Sequence, residues 1–140
     1  MTSYDKCCQL TLRRHDWITG RPAKIEAGMN FFVLMIEQLG GKTMFSCEGH
    51  GGKRESQPYL MFYGPLSLAC AIAQTDSFVV EVQNHVNYFA LRPYRWLNRK
   101  ETMEQFLKRA AKAWVKAFGS PDLRKVAINP TLRRKKATPF

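Results

Sequence analysis

The strongest pattern in the chain is a helical alternation of apolar and basic residues near its C-terminus. Between residues 103 and 118 the apolar residues recur three and four positions apart, with lysine and arginine at many of the other positions. This spacing predicts a long amphipathic helix. We expect the helix to begin near Arg99, with Asn98 as its N-cap and Glu101 in a capping box. Gly119 is a typical helix end.

Weaker patterns upstream predict two more helices and several strands. Apolar residues at helical spacing run from Ile25 to the glycine pair at 40–41, and residues 64–77 predict a short helix with Cys70 on its apolar face. Residues 17–23 contain a glycine and a proline and predict a loop. The last two strands would form a hairpin that turns at Asn84-His85 or at Asn87. Runs of β-forming residues predict strands at residues 9–14, 42–47, 58–63, 78–83 and 86–92.

The predicted elements follow the order β-α-β-β-α-β-β-α. This order predicts an α+β domain with a mixed sheet of about four to six strands and two or three packed helices. A chain of 140 residues suits a single domain, which we place at residues 1–130. Residues 131–140 have little core material and four consecutive basic residues, so we expect a basic, flexible tail.

The charge of the chain extends this picture from fold to partners. The 22 Lys and Arg residues against 11 Asp and Glu residues give a net charge of +11. Such an excess favours nucleic acid, RNA or DNA, or a nucleoprotein complex as the partner. No apolar run approaches the roughly 18 residues of a membrane span, and no secretory signal is visible. We therefore expect a cytoplasmic protein with reduced cysteines, no membrane partner and no cofactor.

Cations and aromatic residues alternate in the segment before the C-terminal helix. Together with the basic helix face and the tail, this segment predicts a surface that neutralises phosphates and stacks exposed bases. The alternative for its aromatic residues is that they anchor the helix to the core. The candidate nucleic-acid-binding residues are Arg92, Tyr94, Arg95, Trp96, Arg99, Lys100, Lys108, Lys112, Arg133, Arg134, Lys135 and Lys136.

A glycine-rich loop between two predicted strands, residues 46–54, is a second candidate. Its glycines permit close backbone approach to an anion and its two cations supply charge, which predicts an anion-binding loop. A hairpin tip kept soluble by its charges explains the same residues equally well. The candidate anion-binding residues are Ser46, Gly49, Lys53 and Arg54.

The same loop contains Cys47 and His50 in Cys-x-x-His spacing. A zinc site needs about four ligands, and the other cysteines and histidines are scattered along the chain. We therefore expect no metal, although these two residues remain weak candidates for ligands. The pair is also a candidate nucleophile and base, but a small residue buried at a strand end is the favoured reading of Cys47.

Short motifs in this region resemble known families. The turn Thr-x-x-Ser-Cys-x-Gly at residues 43–49 and the later strand Phe-Val-x-x-Val-Gln at residues 78–83 resemble the tRNA wybutosine-synthesising protein 3 family. The Ser-Cys-Glu-Gly-His segment at residues 46–50, before Pro58-Tyr59, is similar to small proteins of phages and plasmids. The resemblance implies an RNA-related ancestry and a mobile-element origin. His50 stands where the family has a basic residue. We therefore do not extend the family's methyl-transfer activity to this chain.

The sequence thus predicts a small basic nucleic-acid-binding protein of a mobile element, acting by binding rather than catalysis. One alternative is a phage anti-defence protein, such as an anti-CRISPR protein, that inhibits a host nucleoprotein complex through protein–protein contacts. A second alternative is an enzyme acting at the loop of Cys47 and His50. Oligomeric state, sequence specificity and the choice between RNA and DNA stay open.

Overall fold

A computed structural model describes residues 1–16, 19–47, 57–93 and 101–126. It confirms the α+β class. The helices are α1 (Ser3–Cys8), α2 (Asn30–Gln38), α3 (Leu66–Ala73) and α4 (Met103–Phe118), with 3₁₀ turns at Ala27–Met29 and Leu123–Lys125. The strands are β1 (Arg13–Asp16), β2 (Arg21–Lys24), β3 (Lys42–Cys47), β4 (Tyr59–Tyr63), β5 (Phe78–Val82) and β6 (Tyr88–Pro93).

Among the described residues, the main sheet has four strands in the order β3-β4-β6-β5, and each neighbouring pair is antiparallel. The expectation of a mixed sheet is therefore wrong for the described strands. The reason is the position of β6. Helix α3 connects β4 to β5, and these two strands run in the same direction, but β6 lies between them and pairs with both. A helix-linked pair of strands thus yields an antiparallel sheet.

A two-stranded ribbon, β1–β2, stands apart from the main sheet. We expected a strand at residues 9–14 and a loop at 17–23, whereas β1 begins at Arg13 and residues 21–24 form β2. The Gly20 amide donates a hydrogen bond to the Asp16 carbonyl at 2.7 Å, and Gly20 adopts a positive φ of 74°. This left-handed conformation suits glycine and lets the short polar strands pair.

The core lies on one face of the main sheet, under all four helices. Helix α2 is buried on nearly every side, from Asn30 to Ile36, as its continuous apolar run predicts. The Trp114 ring of α4 packs edge-on against Phe32 of α2, with centroids 5.0 Å apart. The Phe106 ring of α4 packs edge-on against Phe78 of β5 at 5.1 Å. Helix α4 therefore covers the core face of the sheet and turns its basic side outward.

Helix α4 begins later than expected. Thr102 is the N-cap: its hydroxyl accepts a hydrogen bond from the Gln105 amide at 3.1 Å, and the Gln105 side chain accepts one from the Thr102 amide at 2.9 Å. Glu101 precedes the helix and binds Arg109 at 2.9 Å, so its assignment to a capping box is wrong. Asn98 and Arg99, the expected first residues, lie outside the described part of the chain.

Two local expectations have different outcomes. The hairpin between β5 and β6 turns with Asn87 at a positive φ of 61°, which confirms the second of the two turns considered. The apolar face of α3 consists of Leu68, Ala69 and Ile72, whereas Cys70 is exposed. The placement of Cys70 on the apolar face is therefore wrong, because the helix rotates Leu68 toward the close approach of Gly41 and Gly64.

Two further observations bear on the outline of the domain. Within the described ranges, no helix combines the length and the apolar character needed to cross a membrane. The expected domain end at residue 130 and the tail at residues 131–140 lie outside the described residues.

Candidate nucleic-acid interface

The main sheet has a second face, which we call the outer face. Strand alternation puts successive side chains on opposite sides of a sheet, and burial follows this rule in β4, where Leu60 and Phe62 are buried and their neighbours are half-buried. The described helices bury their apolar side chains in the core cluster, to which the outward residues of β4, β5 and β6 do not belong. The outer face consists of Tyr59, Met61, Tyr63, Val79, Glu81, Tyr88, Ala90 and Arg92.

Two stacked tyrosines dominate the outer face. Tyr63 of β4 and Tyr88 of β6 are direct cross-strand partners, and their rings stack with centroids 4.3 Å apart and planes 22° apart. The Tyr88 hydroxyl contacts the Met61 sulfur at 3.8 Å. Tyr59 follows Met61 on the same side of β4, about 7 Å further along at the usual strand rise. These side chains form a row on which planar ligands can stack.

The Tyr88 phenol is uncharged at neutral pH. Burial raises the pKa of the Tyr88 phenol, and the neighbouring Tyr63 phenol raises it further. Removing a phenol from water disfavours its anionic form, and a second phenol adds repulsion between anions. Tyr88 therefore presents aromatic surface without a negative charge that would repel phosphate.

Two cations flank the aromatic row. Arg92 of β6 is 53% exposed on the outer face and forms an ion pair with Glu81 of β5 at 2.8 Å. An ion pair this exposed contributes only about 0–1 kcal/mol, so Arg92 can exchange Glu81 for a phosphate at little cost. Lys42 of β3 is the cross-strand partner of Tyr63. Lys42 therefore lies beside the stacked tyrosines, and Arg92 lies at the other end of the row, beside Tyr59.

The structure places the described members of the expected nucleic-acid surface on two sides of the domain. Arg92 lies on the outer face of the sheet, whereas Lys108 and Lys112 lie on the exposed side of α4, beyond the core. Lys108 binds Glu104 at 3.3 Å. Lys112 is exposed and has no ion pair among the described residues. The helix face is therefore partly neutralised, and it does not continue into the outer face.

Carboxylates near the start of α4 account for this neutralisation. Arg109 of the helix binds Glu101, and Lys108 is close enough to Asp5 of α1 to act on that carboxyl. The pKa of Asp5 is lowered, mainly by hydrogen bonds with Thr2 and in part by Lys108. Lys112, nearer the C-terminal end of α4, is therefore the stronger phosphate-binding candidate on this helix.

The remaining candidates lie outside the described residues and stay predictions. Nine of the 22 basic residues but only two of the 11 acidic residues belong to those segments, so they contain most of the net charge. One segment follows Pro93, the last residue of β6, which lies at the same end of the sheet as Tyr59. The residues concerned are Tyr94, Arg95, Trp96, Arg99, Lys100, Arg133, Arg134, Lys135, Lys136, Gly49, Lys53, Arg54 and His50.

The described part of the loop motif lines a cleft of about 310 Å³ between the β1–β2 ribbon and β3. Ser46 and Cys47 lie there at the end of β3, with Tyr59 beside them and His15 on the ribbon. The sequence paired Cys47 with His50, whereas the structure brings a different histidine, His15, to its cleft. In the described residues, no group of three or more His, Cys, Asp or Glu side chains is arranged to hold a metal ion.

Sequence reasoning missed the tyrosine pair and the ribbon side of the cleft. The alternation Tyr59-x-Met61-x-Tyr63 is visible in the sequence, and it marks three residues on one face of a strand. Its partner Tyr88 is 25 positions beyond Tyr63, and only the pairing of β4 with β6 brings the two rings together. Of the ribbon, only Arg13 and Arg14 fell within a predicted strand, because the rest of β1 and all of β2 lie in segments with weak hydrophobic periodicity.

Comparison of the chain with protein-family models, with curated proteins and with solved structures finds no match. The resemblance to the tRNA wybutosine-synthesising protein 3 family and to phage and plasmid proteins therefore rests on the short motifs alone and stays a prediction. Function is argued from the site itself.

Proposed function

We propose that this protein binds single-stranded nucleic acid on the outer face of its main sheet. The observation that carries the proposal is the Tyr63–Tyr88 stack, which lies on the side of the sheet opposite the helices, with Lys42 next to it and Arg92 at the Tyr59 end of the aromatic row. Unpaired bases stack on the aromatic row, and the two cations contact the phosphates between them. The net charge of +11 supplies the long-range attraction.

The proposal favours single strands over duplexes on physical grounds. Stacking on an aromatic side chain needs an exposed base face, and a duplex already uses its base faces for internal stacking. Base–aromatic stacking contributes about 1–3 kcal/mol per base and tolerates any base sequence. Phosphate contacts add affinity that falls steeply with salt, because binding releases condensed counterions. The domain should therefore prefer unpaired strands and show little sequence selectivity on the tyrosine pair.

Fluorescence anisotropy with labelled single-stranded RNA, single-stranded DNA and duplex DNA, each over a salt series, tests the proposal. Replacing Tyr88 with alanine removes one stacking surface and should weaken single-strand binding by about 5- to 150-fold, the equivalent of the stacking energy. Tyr88→Phe keeps the ring and should bind like the wild type. The matched control is Val86→Ala, at a side chain that is 84% exposed on the same hairpin.

Three outcomes would contradict the proposal. One is an affinity for single strands that Tyr88→Ala leaves unchanged while the variant melts like the wild type. Another is a preference for duplex DNA at every salt concentration. The third is the absence of binding at low salt, which would direct attention to an acidic protein surface as the partner of the basic chain.

A further inference from the structure

The cleft between the β1–β2 ribbon and β3 is continuous with the outer face. Tyr59 belongs to both: it is the last aromatic residue of the row on β4, and it lines the cleft next to Cys47, its cross-strand partner. From Tyr63 to Tyr59 the strand covers about 14 Å. A nucleic-acid strand that stacks on the tyrosine pair and follows β4 therefore reaches the cleft within a few nucleotides.

On the basis of the proposed function, we infer that this cleft holds one nucleotide of the bound strand. Its volume of about 310 Å³ is at the lower end of the range for small-molecule sites, about 300–1,000 Å³. That volume suits a single base with its phosphate rather than a longer segment. Tyr59 at the mouth of the cleft supplies a ring for the base.

Lys24 is the residue we assign to the phosphate. It lines the cleft, is exposed, and lies directly opposite Arg13 in the ribbon. Like charges in direct cross-strand positions destabilise a sheet, and an anion between or beside them relieves that repulsion. Arg14 also lines the cleft, but its guanidinium is held by both carboxylate oxygens of Glu37, at 2.7 and 2.9 Å. Arg14 therefore shapes the wall of the cleft.

The acidic residues of the cleft select a nucleotide over a bare phosphate. Asp16 and Glu26 line it together with Lys24, and two carboxylates would repel an isolated phosphate ion. The same carboxylates are suitable acceptors for exocyclic amino groups, as in carboxylate contacts to cytosine N4. The combination of one cation with two carboxylates matches a nucleotide, in which the phosphate meets the cation and an amino group of the base meets the carboxylates. The cleft should thus prefer cytosine to thymine or uracil.

Charge reversal on the ribbon tests this inference with a matched control. Lys24→Glu and Arg21→Glu make the same change in net charge on the same exposed strand, but Arg21 does not line the cleft. Anisotropy with short single-stranded oligonucleotides should show at least a tenfold loss of affinity for Lys24→Glu. Arg21 lies opposite Asp16 in the ribbon but not at the phosphate position, so Arg21→Glu should lose less than threefold. Equal losses for the two variants would overturn the inference.

A second variant tests the base contact. Glu26 precedes the 3₁₀ turn and its side chain makes no capping hydrogen bond there, so Glu26→Gln removes the charge without removing a cap. The ratio of affinities for oligo-dC and oligo-dT should fall at least threefold in this variant. An unchanged ratio would overturn the assignment of the base to this cleft.

Tyr88→Ala, measured in the same series, separates failure of this inference from failure of the proposed function. If Tyr88→Ala weakens binding while Lys24→Glu and Arg21→Glu behave alike, the strand crosses the outer face without entering the cleft. If Tyr88→Ala has no effect, the proposed function fails and the inference fails with it.

Discussion

Cys7 lies in α1 with 1% of its surface exposed, and the Asn30 side chain donates a hydrogen bond to its carbonyl at 2.9 Å. Burial raises the pKa of the Cys7 thiol to about 11, and the neighbouring Cys8 adds to the rise. Cys70 is exposed on α3. Four cysteines that look alike in the sequence thus include two with opposite environments, and the difference comes from which side of a helix faces the core.

Thiol alkylation should distinguish Cys7 from Cys70. The thiolate is the reactive form, and the raised pKa keeps Cys7 protonated until the pH approaches about 11. At about pH 8, iodoacetamide should modify Cys70 at least tenfold faster than Cys7 in the folded protein. A time course followed by peptide mass spectrometry measures both rates. In denaturant the two rates should converge, and equal rates in the folded protein would contradict the burial of Cys7.

At the scale of elements, the sequence predicts well where apolar periodicity is strong. Helices α2 and α4 and the four strands of the main sheet occur where the pattern placed them, because their side chains bury one face or all faces. The short elements α1, β1 and β2 were missed or misplaced. Helix α1 depends on a capping box between Thr2 and Asp5, and β2 exists because it pairs with β1. Neither a capping box nor the pairing of two short strands produces a periodic pattern of hydrophobic residues in the sequence.

The start of α4 shows why the boundaries of a helix are harder to predict than its existence. Two capping boxes fit the sequence, Asn98 with Glu101 and Thr102 with Gln105, and both obey the same rule. The second one forms, while Glu101 is engaged with Arg109. Local spacing cannot choose between the two, because both fit the same rule, and the ion pair that engages Glu101 joins residues eight positions apart.

Removing the Thr102 hydroxyl should measure how much the observed cap stabilises the folded protein. Thr102→Ala loses the hydrogen bond to the Gln105 amide and should reduce the free energy of unfolding by about 0.5–2 kcal/mol. Thr102→Ser keeps a hydroxyl in the same position and should cost much less. Urea denaturation followed by circular dichroism gives both values. If the alanine and serine variants unfold at the same urea concentration, Thr102 is not the functional cap of α4.

At the scale of the whole molecule, the arrangement of charge is the property that the sequence revealed least. Composition showed the excess of cations, and it suggested one continuous surface of helix, connecting segment and tail. The two-layer architecture separates the outer face of the sheet from the exposed side of α4 by the thickness of the core. Arg92 and Lys112 therefore lie on different surfaces. This separation results from packing and cannot be predicted from any local sequence pattern.

This separation predicts a dependence on oligonucleotide length. A strand of about 8 nucleotides, within the site sizes of about 4–16 known for single-strand-binding domains, can occupy the outer face but should not reach the far side of α4. Lys112 and Lys116 are both exposed on α4. Reversing their charge should then change the affinity for this short strand by no more than the change in the overall charge of the protein would cause. A strand of roughly 40 nucleotides can wrap around the domain and should bind these lysines.

Salt titration of a neutralised double variant, Lys112→Gln with Lys116→Gln, makes the test quantitative without reversing charge. Each phosphate contact on a single strand contributes about 0.7 to the slope of log affinity against log salt. With the long strand, loss of both contacts should lower that slope by about 1.4, and with the short strand the slope should stay unchanged. An equal decrease for both lengths would mean that the helix lysines and the tyrosine row contact the same short stretch of nucleic acid. That result would contradict the assignment of the binding site to the outer face alone.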